Sequence, residues 1–172
     1  MESPVNAQPE SPKRRPSPWV VRLLVIVVIG MGAMFMFGRT RPDNLGVNQG
    51  SLAPCPPSPN CVSTQAEREQ QRIEPLAFAT DDLQKLTSTA GEMAAAMPRW
   101  EFVTRDPDYW HIECTSLICR YIDDLEIWFD QENQLIHARS ASRVGYSDMG
   151  VNRKRVEAFF DRLVELGVAR KQ

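Results

Sequence analysis

The chain has 172 residues, of which 24% are charged and 42% are hydrophobic, and its formal net charge at pH 7 is −2. This balance is ordinary for a globular protein, and it gives no electrostatic reason to expect nucleic-acid binding. The length allows one globular domain preceded by a shorter N-terminal region.

The N-terminal region carries a long apolar segment behind a basic, proline-rich start. We expect residues 1–18 to form a disordered cytoplasmic tail. Residues 20–37 are apolar except for Arg22, and a helix of this length, at about 1.5 Å per residue, matches the hydrocarbon core of a bilayer. The sequence therefore predicts a transmembrane anchor over residues 19–38. A buried soluble helix and a cleaved signal peptide are the alternatives, although residues 34–38 offer no small-residue cleavage site.

The charges that flank the apolar segment predict its orientation, because the side richer in Lys and Arg stays in the cytoplasm. The basic residues are Lys13, Arg14, Arg15 and Arg22 on the N-terminal side, and Arg39 and Arg41 on the other. We therefore predict a single-pass protein of the bacterial inner (cell) membrane, with a cytoplasmic N-terminus. The C-terminal domain is then periplasmic or otherwise extracytoplasmic.

Residues 39–79 are expected to be a linker that holds a loop closed by cysteines. Cys55 and Cys61 flank a run of turn-forming residues, chiefly prolines, and we predict a disulfide that stabilises the fold by about 2 kcal/mol. A metal site would need further thiols or histidines nearby, and a redox motif would have a tighter spacing. Cys114 and Cys119 are interpreted either as core residues or as a second pair.

The globular domain is expected to occupy residues 80–172. Thr80 caps a helix whose apolar residues recur every three or four positions until Pro98 ends it. Alternating apolar and polar residues then predict antiparallel strands over residues 100–105, 109–115, 120–130 and 134–142. Asn152 begins a second amphipathic helix. The predicted fold is α+β: a small antiparallel sheet of about four strands with two helices packed on one face, preceded by a single transmembrane helix.

The last hairpin is predicted to turn at residues 131–132. This turn places Ile127 opposite Ile136 on the core side and Glu126 opposite His137 on the outer face. The strand alternation of the hairpin thus separates apolar from charged side chains.

The outer face of the predicted sheet also receives His111 and Glu113 from the preceding strand. Together with Glu126 and His137 they are interpreted as cross-strand charge pairs on a wet surface. A site for metal-dependent or acid–base catalysis is the alternative.

Two apolar side chains, Trp128 and Leu135, share the same outer face. Apolar patches bordered by charge are typical of contact sites. We therefore expect this Trp128/Leu135 face to bind a protein partner, with ordinary surface aromatics as the alternative.

The segment between the last strand and the last helix is rich in Arg, Ser and Gly. The free N–H groups of a helix start, with nearby cations, bind anions such as phosphate, carboxylate or a lipid headgroup. The residues predicted for this anion site are Arg139, Ser142, Arg143, Asn152 and Arg153. In the alternative, Asp148 takes the place of the anion, bonded to an arginine and to backbone amides, so that the loop is a structural lock.

Three strings of the chain resemble the family catalogued as domain of unknown function 1499, over roughly residues 50–167. They are Cys-Pro-Pro-Ser-Pro-Asn-Cys-Val-Ser at 55–63, Asp-Asp-Leu-Glu at 123–126, and Arg-Ser-x-Ser-Arg-x-Gly-x-x-Asp-x-Gly-x-Asn-Arg at 139–153. The resemblance implies no established activity and no catalytic residues. It does imply relatives in bacteria and plastids, some of them with an N-terminal anchor.

Taken together, the sequence predicts an exported, membrane-anchored accessory or binding module without cofactor or metal. Its expected partners are the membrane, a small anion and a protein at the Trp128/Leu135 face, but not nucleic acid. The alternative is a hydrolase or metal-dependent enzyme that uses the His/Glu face or the Arg-Ser loop. Ser140, Ser142 and Ser147 lack the Gly-x-Ser-x-Gly frame that activates a nucleophile.

Overall fold

A computed structural model describes residues 17–172, except the side chains of four residues within the first helix, so the predicted tail lies almost wholly outside the described residues. The chain divides into two compact units, Met1–Met34 and Phe35–Gln172. Helix α1 spans Pro18–Phe37.

The transmembrane helix of the predicted fold, placed at residues 19–38, is wrong. Across the residues that the structure describes, no helix is both long enough and apolar enough to cross a bilayer. Arg22 lies within the apolar run of α1, and a charged side chain disfavours insertion into lipid.

The second unit is built on one antiparallel sheet of seven strands. The strands are β1 (Cys61–Ser63), β2 (Leu76–Phe78), β3 (Trp100–Arg105), β4 (Tyr109–Thr115), β5 (Ile122–Asp130), β6 (Leu135–Ser142) and β7 (Ala169–Lys171). Their order is β3-β4-β5-β6-β2-β7, and β1 also pairs with β6. The prediction of about four strands is therefore also wrong.

The four long strands lie close to the predicted positions, but the three short ones were missed. Strands β1, β2 and β7 have three residues each, which is too few to show an alternating pattern. Two of them come from the segment that we assigned to a linker. They share one edge of β6, where β1 pairs near its end and β2 near its start.

Two helices pack on one face of the sheet and form the hydrophobic core with it. Helix α2 spans Leu83–Ala95 and helix α3 spans Val151–Glu165. Apolar residues of both helices, such as Leu86 and Phe159, join the inward side chains of β4, β5 and β6 in one buried cluster. Asp82, rather than Thr80, caps α2, because its side chain accepts a hydrogen bond from the Lys85 amide at 2.9 Å.

The register of the β5–β6 hairpin differs from the predicted one by two residues. Ile127 pairs with Ala138, and Glu126 pairs with Arg139 rather than with His137. The cause is a turn of four residues, 131–134, in which Asp130 accepts a hydrogen bond from the Asn133 amide at 3.1 Å. A shift by an even number keeps each side chain on its predicted face and changes only its partner.

The second face of the sheet, predicted to be wet, is covered by the segment of residues 39–52. The Gly46 amide donates to Glu126 Oε1 at 2.8 Å, and Leu52 is buried. As a result, His111, Asp124 and Glu126 are only 3%, 1% and 0% exposed.

The predicted disulfide between Cys55 and Cys61 is confirmed. Cys114 and Cys119 are not paired with each other: both are free, with Cys114 buried and Cys119 exposed.

Candidate functional site

Strand alternation in β6 sends the predicted anion-binding residues to opposite faces of the sheet. Arg139 and Arg143 lie on the second face, under the segment 39–52, while Ser142 lies on the helix-covered face beside Asn152 of α3. The residues predicted to form one anion site therefore take part in separate clusters.

Arg143 is held by two carboxylates on the second face. Its Nε and Nη2 donate to the two oxygens of Asp124 at 2.9 and 2.7 Å, and Nη2 also donates to Glu113 Oε1 at 2.6 Å. His111 Nε2 lies 2.7 Å from Asp124 Oδ1, and Arg41 from the covering segment donates to Glu113 at 2.8 Å. Such bidentate charged bonds are the strong kind of hydrogen bond and fix the planar guanidinium in place.

The electrostatics of this cluster follow from its burial and its ion pairs. Burial alone would raise the pKa of Asp124, but the hydrogen bonds from Arg143 and His111 outweigh it, and the pKa is lowered. The pKa of Glu113 is likewise lowered, because its bonds to Arg143 and Arg41 outweigh burial. Both carboxylates are thus ionised at neutral pH and balanced by guanidinium groups.

Arg139 forms the second ion pair of this face. Its Nη1 donates to Glu126 Oε2 at 2.8 Å, while the Tyr109 hydroxyl donates to Glu126 Oε1 at 2.9 Å. Burial and the adjacent Glu126 charge raise the pKa of Tyr109, so that the phenol stays protonated and serves as a donor. Arg139 Nε is buried and has no hydrogen-bond partner among the described residues.

On the helix-covered face, the side chain of Asn152 is the centre of a hydrogen-bond network that contains both neutral and charged groups. Its Nδ2 donates to the Asn60 carbonyl and to Ser142 Oγ, both at 3.0 Å. Its Oδ1 accepts from Ser140 Oγ at 2.6 Å and from Arg155 Nη1. Arg155 also donates to Asp123 Oδ2, at 2.6 Å. A fully buried amide whose polar atoms are bonded in this way positions the start of α3 against β6.

At the start of α3, the place predicted for a bound anion is taken by the side chain of Asp148. Its two carboxylate oxygens accept hydrogen bonds from the amides of Gly150 and Asn152, at 3.0 and 2.7 Å. Arg153 donates to the carbonyls of Gln70 and Arg72, at 3.0 Å each. The hydrogen bonds from backbone amides to Asp148 are those expected if the loop is a structural lock. The arginines, however, bond to other acceptors and not to Asp148.

One group of side chains on the second face has the geometry to hold a metal ion. Donor atoms of His111, Glu113 and Asp124 all lie within 4.8 Å of one another. The guanidinium of Arg143 contacts both carboxylates of this group. A cation bound there would have to displace Arg143, which already neutralises the acids.

His137, predicted to share a site with the other face residues, belongs to a different environment. Its Nδ1 lies 3.0 Å from Thr64 Oγ1, and its ring stacks on Trp128 at 5.1 Å between centroids. Burial lowers the pKa of His137, partly offset by Asp130. Trp128 and Leu135 are both half-buried, so the apolar patch predicted there is smaller than expected.

Several exposed apolar side chains of the second unit lie at one end of the sheet. The loop 116–121 joins β4 to β5, and the loop 143–150 leaves β6. Both are at the same end, because Asp123 pairs with Ser142 and the Arg143 amide donates to the Ile122 carbonyl at 3.3 Å. We call the exposed apolar residues here the sheet-end surface: Leu117, Ile118, Tyr121, Tyr146, Met149 and Val151.

Exposed cations border the sheet-end surface. Arg99 donates to the Thr115 carbonyl at 3.1 Å, so it lies at the end of β4. Arg120 lies within the loop 116–121, and Lys154 lies in the first turn of α3. Of the acids at this end, Asp148 caps α3 and Asp123 pairs with Arg155, whereas Glu101 at the start of β3 is exposed.

The sequence of this chain matches a known protein family. A model described as protein of unknown function (DUF1499) matches residues 51–163. The chain belongs to this DUF1499 family. No curated protein and no solved structure matches it.

The part of the chain that matches the DUF1499 family contains both loops of the sheet-end surface, the disulfide, and both charge networks except for Arg41 and Gly46. Most of the covering segment 39–52 precedes it. Sequence reasoning missed the sheet-end surface because it extended β5 back to Arg120 and interpreted Cys119 as a core residue or as part of a second disulfide. The signal that was present is the pair Leu117 and Ile118 between polar residues, outside any alternating pattern.

Proposed function

We propose that this DUF1499 protein is a non-catalytic binding module that contacts its partner through the sheet-end surface. The observation that supports the proposal is the concentration of exposed apolar side chains there. Four of them, Leu117, Ile118, Tyr146 and Met149, are between 69% and 91% exposed. Exposed apolar patches bordered by charge mark contact sites, whereas single exposed apolar residues do not.

The loop 143–150, which carries part of this surface, is held in place by specific bonds, which favours recognition. Asn60 Nδ2 donates to the Gly145 carbonyl at 2.7 Å, and the disulfide of Cys61 closes the loop that contains Asn60. Asp148 fixes the other end of the loop 143–150 at the start of α3. A binding loop held in its bound form loses less conformational entropy on association.

The polar groups predicted for catalysis are poorly placed to act on a substrate. His111 and Glu126 are almost fully buried, and the carboxylates of Glu126 and Glu113 are paired with arginines. A general base must come within hydrogen-bond reach of a substrate proton. Binding therefore suits this arrangement better than the hydrolase or metal-enzyme alternative.

We also propose that the protein works in an oxidising, extracytoplasmic compartment. The Cys55–Cys61 disulfide supports this location, because disulfides persist outside the cytosol and are uncommon within it.

The binding face is tested with a polarity-sensitive fluorophore on Cys119, which adjoins Ile118. It is the accessible thiol for this purpose, because Cys114 is buried and the other two cysteines are disulfide-bonded. The control is the variant Cys119→Ser/Glu132→Cys, which carries the label in the exposed β5–β6 turn at the opposite end of the sheet.

The labelled full-length chains are titrated with a lipid extract and with a soluble protein fraction from the source organism. We expect the emission of the Cys119 label to shift to the blue with one of these fractions, and that of the control label to stay unchanged. A shift at position 132 alone would favour the predicted Trp128/Leu135 face and contradict the proposal. No shift at either position would also contradict it.

A further inference from the structure

We infer that the partner of the sheet-end surface is an anionic lipid bilayer, which the loops contact peripherally; this inference rests on the proposed function. The shape and the charge of the surface both favour this partner. The inference concerns only the loops of the second unit and involves no membrane-spanning helix.

The shape argument concerns how the apolar side chains are presented. Ile118 and Met149 project from two separate loops and are 87% and 91% exposed, so they stand out from the surface rather than line a pocket. Protein interfaces are anchored by side chains that fill complementary pockets. Protruding aliphatic side chains with a tyrosine beside them, here Tyr146, suit insertion into the boundary between headgroups and acyl chains, where amphipathic rings concentrate.

The charge argument concerns the cations around those side chains. Arg99, Arg120 and Lys154 are exposed at or next to the sheet-end surface. The carboxylate of Asp148 is bonded to two amides, and Asp123 is bonded to Arg155. These three cations outnumber the two acidic charges left at this end, which are Asp148 and the exposed Glu101 at the start of β3. Each Lys or Arg near an anionic membrane surface strengthens binding by about fivefold.

The test uses the full-length chain with a fluorophore on Cys119, and the Cys119→Ser/Glu132→Cys chain labelled in the same way. Each is mixed with vesicles of phosphatidylcholine and phosphatidylglycerol that contain a nitroxide-bearing lipid, which quenches only fluorophores in contact with the bilayer. Because the measurement is local, contacts made by other parts of the chain do not contribute to it.

We expect strong quenching at position 119, little at position 132, and weaker quenching at position 119 when phosphatidylglycerol is omitted or when salt screens the charges. Arg120→Gln and Lys154→Gln are each expected to raise the lipid concentration for half-maximal quenching by about fivefold. Ile118→Asp and Met149→Asp are each expected to raise it by about tenfold. Lys85→Gln, which removes an exposed cation at the start of α2, is the matched control and should leave it unchanged.

Equal quenching at both positions, or quenching at position 119 that does not depend on phosphatidylglycerol, would overturn the lipid inference. If vesicles give no quenching but the protein fraction shifts the Cys119 label, the lipid inference fails while the proposed binding face stands. If neither the vesicles nor the fractions affect the label, both fail.

Discussion

Replacing Arg143 by alanine would leave two acidic side chains of the second face without their main counter-charge. Asp124 is 1% exposed and accepts two of the arginine's hydrogen bonds, and Glu113 accepts a third. Removing one partner of a buried ion pair costs about 3–5 kcal/mol, because an uncompensated charge stays buried. Arg41 still faces Glu113, so we expect Arg143→Ala to lower the free energy of unfolding by about 3 kcal/mol.

The assay is urea denaturation of the full-length chain at neutral pH, followed by tryptophan fluorescence. The matched control is Arg162→Ala, which removes an exposed arginine paired with Glu165; we expect it to cost less than about 1 kcal/mol. If both variants lost the same small amount, the second-face network would not stabilise the fold, and the reasoning would be refuted.

The pH dependence of the same pair gives a second, independent signature. In the native protein the pKa of Asp124 is lowered, so its stabilising contribution is present above its unfolded pKa and is lost as the pH falls through the folded pKa. In Arg143→Ala, burial without the guanidinium raises that pKa. The stability difference between the two proteins should therefore shrink as the pH falls through the raised pKa of Asp124 in the variant, whereas a constant difference would contradict the ion-pair explanation.

Three further predictions concern other parts of the molecule. Asp148→Ala removes the acceptor for two amides at the start of α3 and should lower the free energy of unfolding, measured by urea denaturation, by about 1 kcal/mol. Asp148→Asn should retain most of this stability. Equal losses in the two variants would contradict a capping role. The double variant Cys55→Ser/Cys61→Ser should be less stable by about 2 kcal/mol, and dithiothreitol should lower the melting temperature of the native protein but not of this variant. Iodoacetamide should modify Cys119 in the folded protein and Cys114 only after unfolding, because burial raises the pKa of Cys114 to about 12. Modification is measured by mass spectrometry of digests. Modification of Cys114 in the folded protein would contradict its burial.

The sequence was sufficient to predict those helices and strands in which apolar residues recur in a long, regular pattern. The apolar positions of α3, such as Phe159 and Leu163, recur with the helical period, and the alternation along β5 and β6 placed each side chain on its correct face. The cross-strand partner of each residue depended on the length of the turn. Because the turn has four residues rather than two, Glu126 pairs with Arg139 and not with His137.

The covering of the second face could not be predicted, because it depends on contacts between distant parts of the chain. Nothing near Glu126 in the sequence indicates that the Gly46 amide will lie 2.8 Å from its carboxylate. The same holds for Arg143, which strand alternation placed beside Arg139 but whose partner Glu113 lies on another strand. Local patterns predict which face a side chain occupies, whereas its burial and its bonds depend on what the rest of the chain places over that face.

The position of β7 at the edge of the sheet has a consequence for how the protein folds. Strand β7 follows every other strand in the chain, yet its partner is β2, one of the earliest. Until Ala169–Lys171 has left the ribosome, one edge of β2 offers unpaired backbone groups to any other extended chain. Long-range pairing of this kind also slows folding, so the nascent protein stays vulnerable to aggregation at this edge until β7 has emerged and paired with β2.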